Sequence, residues 1–290
     1  MAESVLIAGC GDLGLRVARL LTERGCRVWG LRRSPPATPT VADMQWLTAD
    51  LTRPDTLTKL AEQCGKVSHL VYLPTAPART EAAYRAVFVD GLRNILAATK
   101  SLQRLVFVSS TSVYGEHDGA WIDEHTEPAP LGVNGAMLLE ASRLLACAPC
   151  PTVELRLSGL YGPGRLQLLK RLRSGQARAP RDPVHWANRI HVEDAAAAIA
   201  HLLFLPDPYS LYLGADDTPL PLHELYAGIA RLDGSLPPAE GPAPAGVGSK
   251  RITNARLKAS GFTFQWPDTL QGHRALLAEL KQTSQAGVSS

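Results

Sequence analysis

The sequence predicts an α/β protein with a parallel, doubly wound sheet and a smaller C-terminal lobe. Short apolar runs of strand length alternate with segments of helical periodicity along most of the chain. The first apolar run, residues 5–8, passes directly into a glycine turn, residues 9–14, and then into an amphipathic segment. The run at residues 105–108 is wholly apolar, as in parallel strands that are covered on both faces.

The glycine turn has the sequence GCGDLG, and its setting between a strand and a helix predicts a Rossmann-type dinucleotide site. Gly9 permits the tight turn, Gly11 lets a pyrophosphate approach the backbone, and Gly14 lets the helix pack on the strand. The first helical turn begins at Asp12 and Leu13, and its N–H groups favour an anion. A helix that merely begins at a glycine turn is the alternative.

The composition is that of an ordinary globular protein. The chain has 290 residues, of which 45% are hydrophobic, and it contains 30 basic and 27 acidic residues. This balance predicts no nucleic-acid partner. No apolar stretch approaches the roughly 18 residues of a membrane span, and the N-terminus lacks the basic start of a secretory signal. We therefore expect a cytoplasmic protein that does not bind membranes.

The five cysteines are odd in number, and most lie in apolar runs, so we expect reduced core residues. Cys147 and Cys150 form a CxxC in an expected loop rather than at a helix start, which argues against a redox pair. There is no second CxxC to complete a zinc site. We predict no metal site, and the role of these two cysteines stays open.

The end of the second predicted strand determines the expected cofactor. Arg32 and Arg33 stand there, without the Asp or Glu that bonds the ribose of NAD. A guanidinium suits the 2′-phosphate of NADP in charge and in geometry. The pair predicts NADP as the cofactor, with NAD as a second possibility. Two solvated loop arginines are the alternative.

Three further strand ends face the same crevice in a doubly wound sheet. Asp50 and Leu51 follow the third predicted strand, beside the adenine pocket. The fourth predicted strand ends at Leu73, followed by Pro74 and Thr75. The fifth ends in four hydroxyl residues, 109–112, where such folds bind ligands, although an ordinary turn rich in Ser and Thr is the alternative.

In their order along the chain, these motifs resemble the extended short-chain dehydrogenase/reductase superfamily, of the NAD(P)-dependent epimerase/dehydratase type. The matching segments are residues 9–14, 50–51, 109–115, 155–164, 188–194, 211–214 and 261–267. The resemblance implies a Rossmann domain over 1–160, which elements of 188–214 also join, and a substrate lobe mainly over 161–290. The spacing GxGxxG, where extended members usually have GxxGxxG, indicates an atypical branch.

The chemistry of that superfamily depends on a YxxxK pair, in which the Lys lowers the pKa of the Tyr. Asn134 and Leu138 occupy those positions here. An Asn cannot exchange a proton near neutral pH, and a Leu cannot stabilise a phenolate. Ser110 stands where the resemblance places the catalytic Ser or Thr, and Thr111 is its neighbour. The candidate catalytic positions are therefore Ser110, Thr111 and Asn134.

Other polar residues near these positions have structural explanations as well as catalytic ones. Tyr114 and His191 resemble family positions that are usually structural. The polar residues 123–127 are expected to form a solvated loop, and His125 is the best replacement base among them. In the resembling family, arginines of this region often meet nucleotide-sugar phosphates, which makes the arginines between 165 and 181 candidates for that role. Ordinary surface charge is the alternative explanation for them.

Two function hypotheses follow. The first is an NADP(H)-dependent, epimerase/dehydratase-like oxidoreductase with altered acid/base groups, whose small-molecule substrate is unknown and for which a sugar nucleotide is one candidate. The second is a catalytically silent NADP-binding sensor or regulatory protein. A homodimer is the candidate assembly. The lost dyad favours the second hypothesis, whereas the retained cleft motifs favour the first.

Overall fold

A seven-stranded sheet of Rossmann type organises the computed structural model, which describes residues 2–36 and 41–286. Its strands are β1 (Ser4–Ala8), β2 (Arg27–Arg32), β3 (Met44–Thr48), β4 (His69–Tyr72), β5 (Arg104–Ser110), β7 (Thr152–Leu157) and β12 (Leu211–Gly214). They lie in the order β12-β7-β5-β4-β1-β2-β3, and the ladders from β5 to β3 are parallel. This is the Rossmann strand order with one strand added, so the predicted fold class is confirmed.

Helices connect the strands. They are α1 (Asp12–Glu23), α2 (Leu60–Cys64), α3 (Glu81–Tyr84), α4 (Gly91–Ala98), α5 (Val133–Leu144), α6 (Gln167–Arg173), α7 (Val192–Phe204), α8 (Leu222–Asp233), α9 (Ala255–Ala259) and α10 (Thr269–Ala286). The short strands are β6 (Trp121–Ile122), β8 (Gly159–Tyr161), β9 (Arg178–Ala179), β10 (Trp186–Ala187), β11 (Arg189–His191), β13 (Leu220–Pro221), β14 (Ala239–Glu240) and β15 (Arg251–Ile252). The chain also forms 3₁₀ turns at Pro54–Leu57, Thr111–Val113 and Leu145–Cys147.

The first strand explains how the sheet brings distant residues together. β1 is buried from Val5 to Ala8 and lies between β2 and β4. Ala8 pairs with Leu31 on one side and with Tyr72 on the other. Parallel strands in this register end at the same edge, so the residues that follow them gather there.

By packing, the chain forms two units. Unit 1 consists of Met1–Tyr114, Pro130–Arg156 and Ala195–Tyr212, and contains most of the large sheet. Unit 2 consists of Gly115–Ala129, Leu157–Asp194 and Leu213–Ser290. Residues 115–129 therefore pack with unit 2, whereas the sequence analysis assigned them to the Rossmann domain. The division of roles between a cofactor domain and a substrate lobe stays a prediction.

Two helical segments differ from expectation. The apolar periodicity of residues 81–99 predicts one helix, but a π-helical turn, Arg85–Asp90, separates α3 from α4. The small and polar residues from Gln282 onward predict a frayed tail, yet α10 continues through Ala286. The buried Leu276 and Leu277 anchor the preceding turns, and a helix that is already formed extends at little cost. Residues 287–290 lie outside the described part of the chain.

Candidate cofactor and active site

The glycine turn meets the steric demands that the motif predicts. Gly9 has a φ of +86°, and a Cβ atom there would lie 2.4 Å from Pro74 Cα. A Cβ at Gly14 would lie 3.2 Å from Ile7 Cγ2, so the helix packs closely on β1. A Cβ at Gly11 would meet only the Gly9 carbonyl oxygen, at 3.9 Å. The turn is therefore tight on its protein side and open at Gly11, which fits close approach by a ligand.

Helix α1 begins directly at this opening. Gly11 is its N-cap, and Leu15 N–H donates to the Gly11 carbonyl at 2.9 Å. Asp12 lies in the first turn and its carboxylate accepts from Arg16 Nε at 3.2 Å, whereas Leu13 is buried in the core. Asp12 and Leu13 can therefore bind an anion through their backbone N–H groups rather than through their side chains.

A pocket of about 500 Å³ lies in unit 1, at the carboxyl ends of β1 to β4. Most of the predicted cofactor residues line it: Gly9, Gly11, Arg32, Arg33, Asp50, Leu51, Pro74 and Thr75. The others, Asp12, Leu13, Gly14 and Leu73, do not. The structure thus brings residues from four strand ends to one cavity, and their contact with a cofactor stays a prediction.

Two positive charges line this pocket. Arg32 is half-buried, and its guanidinium carbon lies 6.0 Å from the centre of the Trp46 ring. Arg33 is exposed. Neither arginine forms an ion pair with any residue in the described ranges, so both charges remain available to an anion.

The Asp50 loop is held in place by its own hydrogen bonds. Asp50 Oδ1 accepts from Thr52 N at 2.9 Å and from Thr52 Oγ1 at 2.8 Å. Thr56 Oγ1 accepts from Asp50 N at 3.0 Å, and the Leu51 carbonyl accepts from Asn94 Nδ2 at 2.9 Å. These bonds fix the direction of the Asp50 carboxylate beside the pocket.

Helix α3 and the π-helical turn contribute residues to the pocket that were not predicted from the sequence. Ala83, Ala86 and Val87 all line it. The Tyr72 hydroxyl donates to the Val87 carbonyl, and a Cβ at Gly91 would lie 2.7 Å from that same hydroxyl oxygen. The helix therefore packs against β4 here with an altered hydrogen-bond pattern. In the sequence, the small residues Ala83 and Ala86, three apart on one helical face, are the only signal of this wall.

The hydroxyl residues at the end of β5 are tied to their own loop. Ser110 Oγ accepts from Ser112 N at 3.1 Å and so caps the 3₁₀ turn, while Thr111 is buried. The Ser110 hydroxyl keeps its proton as a donor, because a hydroxyl can donate and accept at once. Hydrogen bonding to a substrate oxygen is therefore chemically open to Ser110.

Helix α5 carries the two substituted dyad positions. Asn134 is half-buried near the helix start, where a Cβ added to Gly132 would lie 2.9 Å from Asn134 Oδ1. Leu138 is only 4% exposed, so an apolar core residue fills the lysine position. A Cβ at Gly135 would lie 2.3 Å from the Ser112 carbonyl oxygen. The start of α5 thus packs tightly on the loop that follows Ser110.

A buried ionic network supports this loop from below. The Tyr114 hydroxyl accepts from Arg156 Nη1 at 2.7 Å, which supports the structural interpretation of Tyr114. Arg156 also donates to both oxygens of Glu154, at 2.9 and 3.1 Å, and Ser142 Oγ donates to Glu154 Oε1 at 2.8 Å. Both charged residues are buried. The network joins β7 to α5 and to the segment after β5.

The polar residues 123–127 belong to unit 2 and have structural partners. Asp123 Oδ1 accepts from the backbone N–H of His125 at 2.9 Å. Glu124 Oε1 accepts from Leu213 N–H at 3.1 Å and its side chain is buried, so this residue is not solvated as expected. His125 is exposed and its Nε2 lies 3.0 Å from an Arg256 nitrogen.

The arginines expected to meet substrate phosphates also have protein partners. Arg173 donates to the Asp233 carboxylate at 2.7 Å, and Arg181 lies 3.5 Å from a Glu240 oxygen. Arg171 lies over the Tyr226 ring, 5.8 Å from its centre. These contacts favour structural or surface roles for the three arginines.

The cysteines are free among the described residues. Cys10 and Cys64 are buried, as expected. Cys26 and Cys150 are partly exposed and Cys147 is exposed, so these three are not core residues. Cys147 and Cys150 lie between α5 and β7, outside any helix start where a thiol would be activated.

Lys250 in unit 2 is a buried cation that the sequence analysis did not single out. It is 3% exposed, and Nζ donates to the Gly248 carbonyl at 3.0 Å. Burial lowers the pKa of its ammonium to about 8, and the Glu116 carboxylate offsets part of that effect. The sequence surrounding it, Ser249-Lys250-Arg251, gives no sign of burial because Lys is almost always exposed.

This pKa predicts a pH-dependent stability. The folded state favours the neutral form of Lys250, so the contribution of this residue to stability is complete above its unfolded pKa of 10.5. That contribution is lost as the pH falls through the folded pKa of about 8. The free energy of unfolding of the wild type relative to Lys250→Met should therefore rise between these two pH values, by roughly 2–3 kcal/mol. Urea unfolding at several pH values measures it. Lys258→Met, at an exposed lysine that pairs with Asp217, is the control for the loss of a surface charge.

The sheet order, the glycine turn and the pocket define a dinucleotide-binding Rossmann protein. The chain belongs to the NAD dependent epimerase/dehydratase family, whose model matches residues 5–209. This confirms the resemblance to the extended short-chain dehydrogenase/reductases. In the described part of the chain, no helix has both the length and the apolarity needed to cross a membrane.

Known proteins resemble the chain over almost its whole length. Protein YeeZ of Escherichia coli (strain K12) is 30% identical over 275 residues, which cover 92% of this chain and 98% of YeeZ. A Methylobacillus flagellatus structure, named for the NAD-dependent epimerase/dehydratase class, is 40% identical with a TM-score of 0.79 and covers 97% of this chain and 100% of its own. The UDP-glucose 4-epimerase of Thermus thermophilus, solved with NAD, is 20% identical with a TM-score of 0.80 over 96% and 99%. At that identity, the likeness concerns the fold alone.

Proposed function

We propose that the protein is an NADP(H)-dependent oxidoreductase of the epimerase/dehydratase type with an atypical acid/base arrangement. The observation that carries this proposal is the pocket at the ends of β1 to β4, to which Arg32 and Arg33 bring two positive charges that no described residue pairs. An acidic residue at the end of β2 would instead favour the ribose hydroxyls of NAD. The 2′-phosphate is the group that distinguishes NADP, and it is the best match for these charges.

The glycine turn adds space for a phosphate to the positive charge of the pocket. Gly9 and Gly11 form a cradle that leaves space where side chains would otherwise stand. In this proposal, the backbone of the glycine turn binds the pyrophosphate, and Arg32 and Arg33 bind the 2′-phosphate. The bound cofactor would supply hydride transfer. Ser110 would orient the substrate by donating a hydrogen bond to its oxygen.

The catalytic step must use acid/base groups other than the YxxxK pair. Asn134 can orient a substrate by hydrogen bonding, but its amide exchanges no proton near neutral pH. Leu138 lies in the core and offers no charge to a neighbouring group. We infer that a group of the substrate, a solvent molecule or another side chain moves the proton. The superfamily resemblance makes a sugar nucleotide the proposed substrate class and the first group of compounds to screen.

A second candidate function is a catalytically silent NADP-binding sensor. The observation that favours it is the same buried Leu138, because the apolar replacement removes the usual catalytic lysine without a visible substitute among the described residues. Under this hypothesis, the cofactor pocket would be retained while turnover is absent. Cofactor binding is common to both hypotheses, so it is the property to test first.

Paired titrations of the purified protein with NADPH and NADH, followed by cofactor fluorescence, test the proposal. We expect NADPH to bind at least tenfold more tightly than NADH, because only NADPH has a 2′-phosphate for the two arginines. Equal affinities would overturn the NADP preference. Binding of neither cofactor would overturn both functions. Reduction of bound NADP⁺ by sugar nucleotides, whose alcohol carbon gives up a hydride, or oxidation of bound NADPH by their keto derivatives, then separates the enzyme from the sensor.

The double variant Arg32→Gln, Arg33→Gln should weaken NADPH binding by about 100-fold and leave NADH binding nearly unchanged. Each charge-assisted hydrogen bond to phosphate is worth about 1.5–3 kcal/mol, and NADH lacks the phosphate. The matched control is Arg19→Gln, Arg27→Gln, which removes two exposed charges of unit 1 outside the pocket. If the control weakens NADPH equally, general electrostatics rather than the two arginines explains the affinity.

A further inference from the structure

Unit 2 contains an arginine whose guanidinium lies over two tryptophan rings. The guanidinium carbon of Arg251 lies 4.6 Å from the centre of the Trp186 ring and 5.2 Å from that of Trp121. Arg251 and Trp121 are direct partners in the ladder between β15 and β6. Arg251 Nε donates to the Gly119 carbonyl at 2.7 Å. We call these three side chains the Trp–Arg–Trp stack.

Within the described residues, no side chain or carbonyl accepts from the terminal nitrogens of this guanidinium. Across residues 2–36 and 41–286, Arg251 makes no ion pair and no side-chain hydrogen bond other than the one from Nε. Its terminal nitrogens therefore keep a planar fork of donors, which matches the two oxygens of a carboxylate or phosphate. The two indoles and the Nε bond already fix the fork, so little further freedom is lost when an anion binds.

The surroundings of the stack suit an organic anion better than a bare ion. Trp121 is 55% exposed, and the chain places two further exposed apolar residues close to the stack in sequence, Val184 before Trp186 and Val247 before Arg251. A ligand with an apolar body can bury the indole of Trp121, and aromatic side chains stabilise such contacts. An inorganic anion would gain nothing from that surface.

The charges adjacent to the stack also favour an anion. Lys250 precedes Arg251 and its ammonium donates to backbone carbonyls rather than to a carboxylate. The nearby Glu116 carboxylate is occupied by backbone N–H groups of Ser249, at 2.8 Å, and of Asp118, at 2.8 Å. The Glu116 carboxylate is therefore already hydrogen-bonded to the backbone, whereas the terminal nitrogens of Arg251 can still donate to an anion.

We propose that the Trp–Arg–Trp stack binds the oxyanion of an organic ligand, with Arg251 bonding the carboxylate or phosphate and Trp121 packing on its apolar body. All of these residues belong to unit 2, whereas the cofactor pocket belongs to unit 1. The proposal goes beyond the proposed function and does not depend on it. Phosphate and carboxylate ligands share this chemistry, and the experiment below distinguishes them.

Calorimetric titration of the full-length protein tests the site with four probes. Phenyl phosphate and benzoate carry the two oxyanions on the same ring, inorganic phosphate lacks the ring, and benzamide lacks the charge. We expect a Kd of about 1 mM or tighter for phenyl phosphate or benzoate, and at least tenfold weaker binding of inorganic phosphate and benzamide. If neither ring-bearing anion binds, or if inorganic phosphate binds equally well, the proposal is wrong.

Variants then assign the binding to the stack. Arg251→Lys keeps the charge but loses the planar fork of donors, so the affinity for the probe that binds should fall about tenfold. Trp121→Ala should weaken it as well, while Trp121→Phe should retain most of the affinity. The matched control is Arg171→Lys, which changes another arginine stacked on an aromatic ring of unit 2. Unchanged binding in Arg251→Lys, or equal loss in Arg171→Lys, contradicts the proposal, and melting curves confirm that each variant is folded.

Discussion

Replacing Arg156 by methionine is expected to lower the free energy of unfolding by about 3–5 kcal/mol. Arg156 and Glu154 are both buried, and two hydrogen bonds of 2.9 and 3.1 Å join them. Methionine approximates the length of the arginine stem but leaves the Glu154 carboxylate without its cation. A buried charge without a partner destabilises the folded state far more than the intact ion pair stabilises it. Urea unfolding followed by circular dichroism measures the loss.

Two further variants separate this cause from a simple loss of packing. Arg93→Met breaks an exposed pair with Asp90 in unit 1, so it should cost no more than about 1 kcal/mol. The double variant Glu154→Leu, Arg156→Met removes both charges and should recover much of the lost stability. If the double variant is no more stable than Arg156→Met, the unpaired carboxylate is not the source of the effect.

Gly9→Ala is expected to be the second strongly disruptive change, costing about 3 kcal/mol or more and abolishing NADPH binding. The φ of +86° alone disfavours an L side chain by about 1–2 kcal/mol. The new Cβ would also lie 2.4 Å from Pro74 Cα, a backbone atom that cannot rotate away. Relieving that clash must move either the glycine turn or the end of β4, and both border the pocket.

Gly25→Ala provides a matched control for the steric part of this argument. Gly25 has a φ of +79°, yet apart from its own residue and its two chain neighbours no described atom lies within 4 Å of the position that its Cβ would take. This variant should cost only the backbone strain, about 1–2 kcal/mol, and should bind NADPH as the wild type does. Equal stability losses in the two alanine variants would show that the contact with Pro74 has no energetic consequence.

The sequence predicted the parts of the site that local pattern and parallel topology determine together. Apolar runs locate the strands, and parallel strands end at one edge, so these two rules alone place Arg32, Asp50 and Pro74 near the glycine turn. The pocket contains all three. The resemblance to a known superfamily supplied the positions of Ser110 and Asn134, which periodicity alone does not mark.

Other features depend on contacts between distant segments and could not be predicted locally. The π-helical turn is associated with the packing of Tyr72 and Gly91, residues from different elements. The pair of Glu154 and Arg156 violates the usual rule that charged residues stay exposed, and its burial is explained by partners on α5 and after β5. The Trp–Arg–Trp stack likewise joins β6, β10 and β15, whose residues are far apart in the sequence.

The burial of Leu138 also limits how the lost chemistry could be restored. A lysine introduced at this position would place its amine where a leucine now contributes to the core, and a buried amine tends to lose its proton. A neutral lysine would give no help to a tyrosine at position 134. Placing Tyr at position 134 and Lys at position 138 is therefore insufficient. The helix would also need more solvent or a nearby carboxylate around position 138 to keep the amine charged, so several changes would be required together. A tyrosine at position 134 or a lysine at position 138 alone would therefore not restore the acid/base pair.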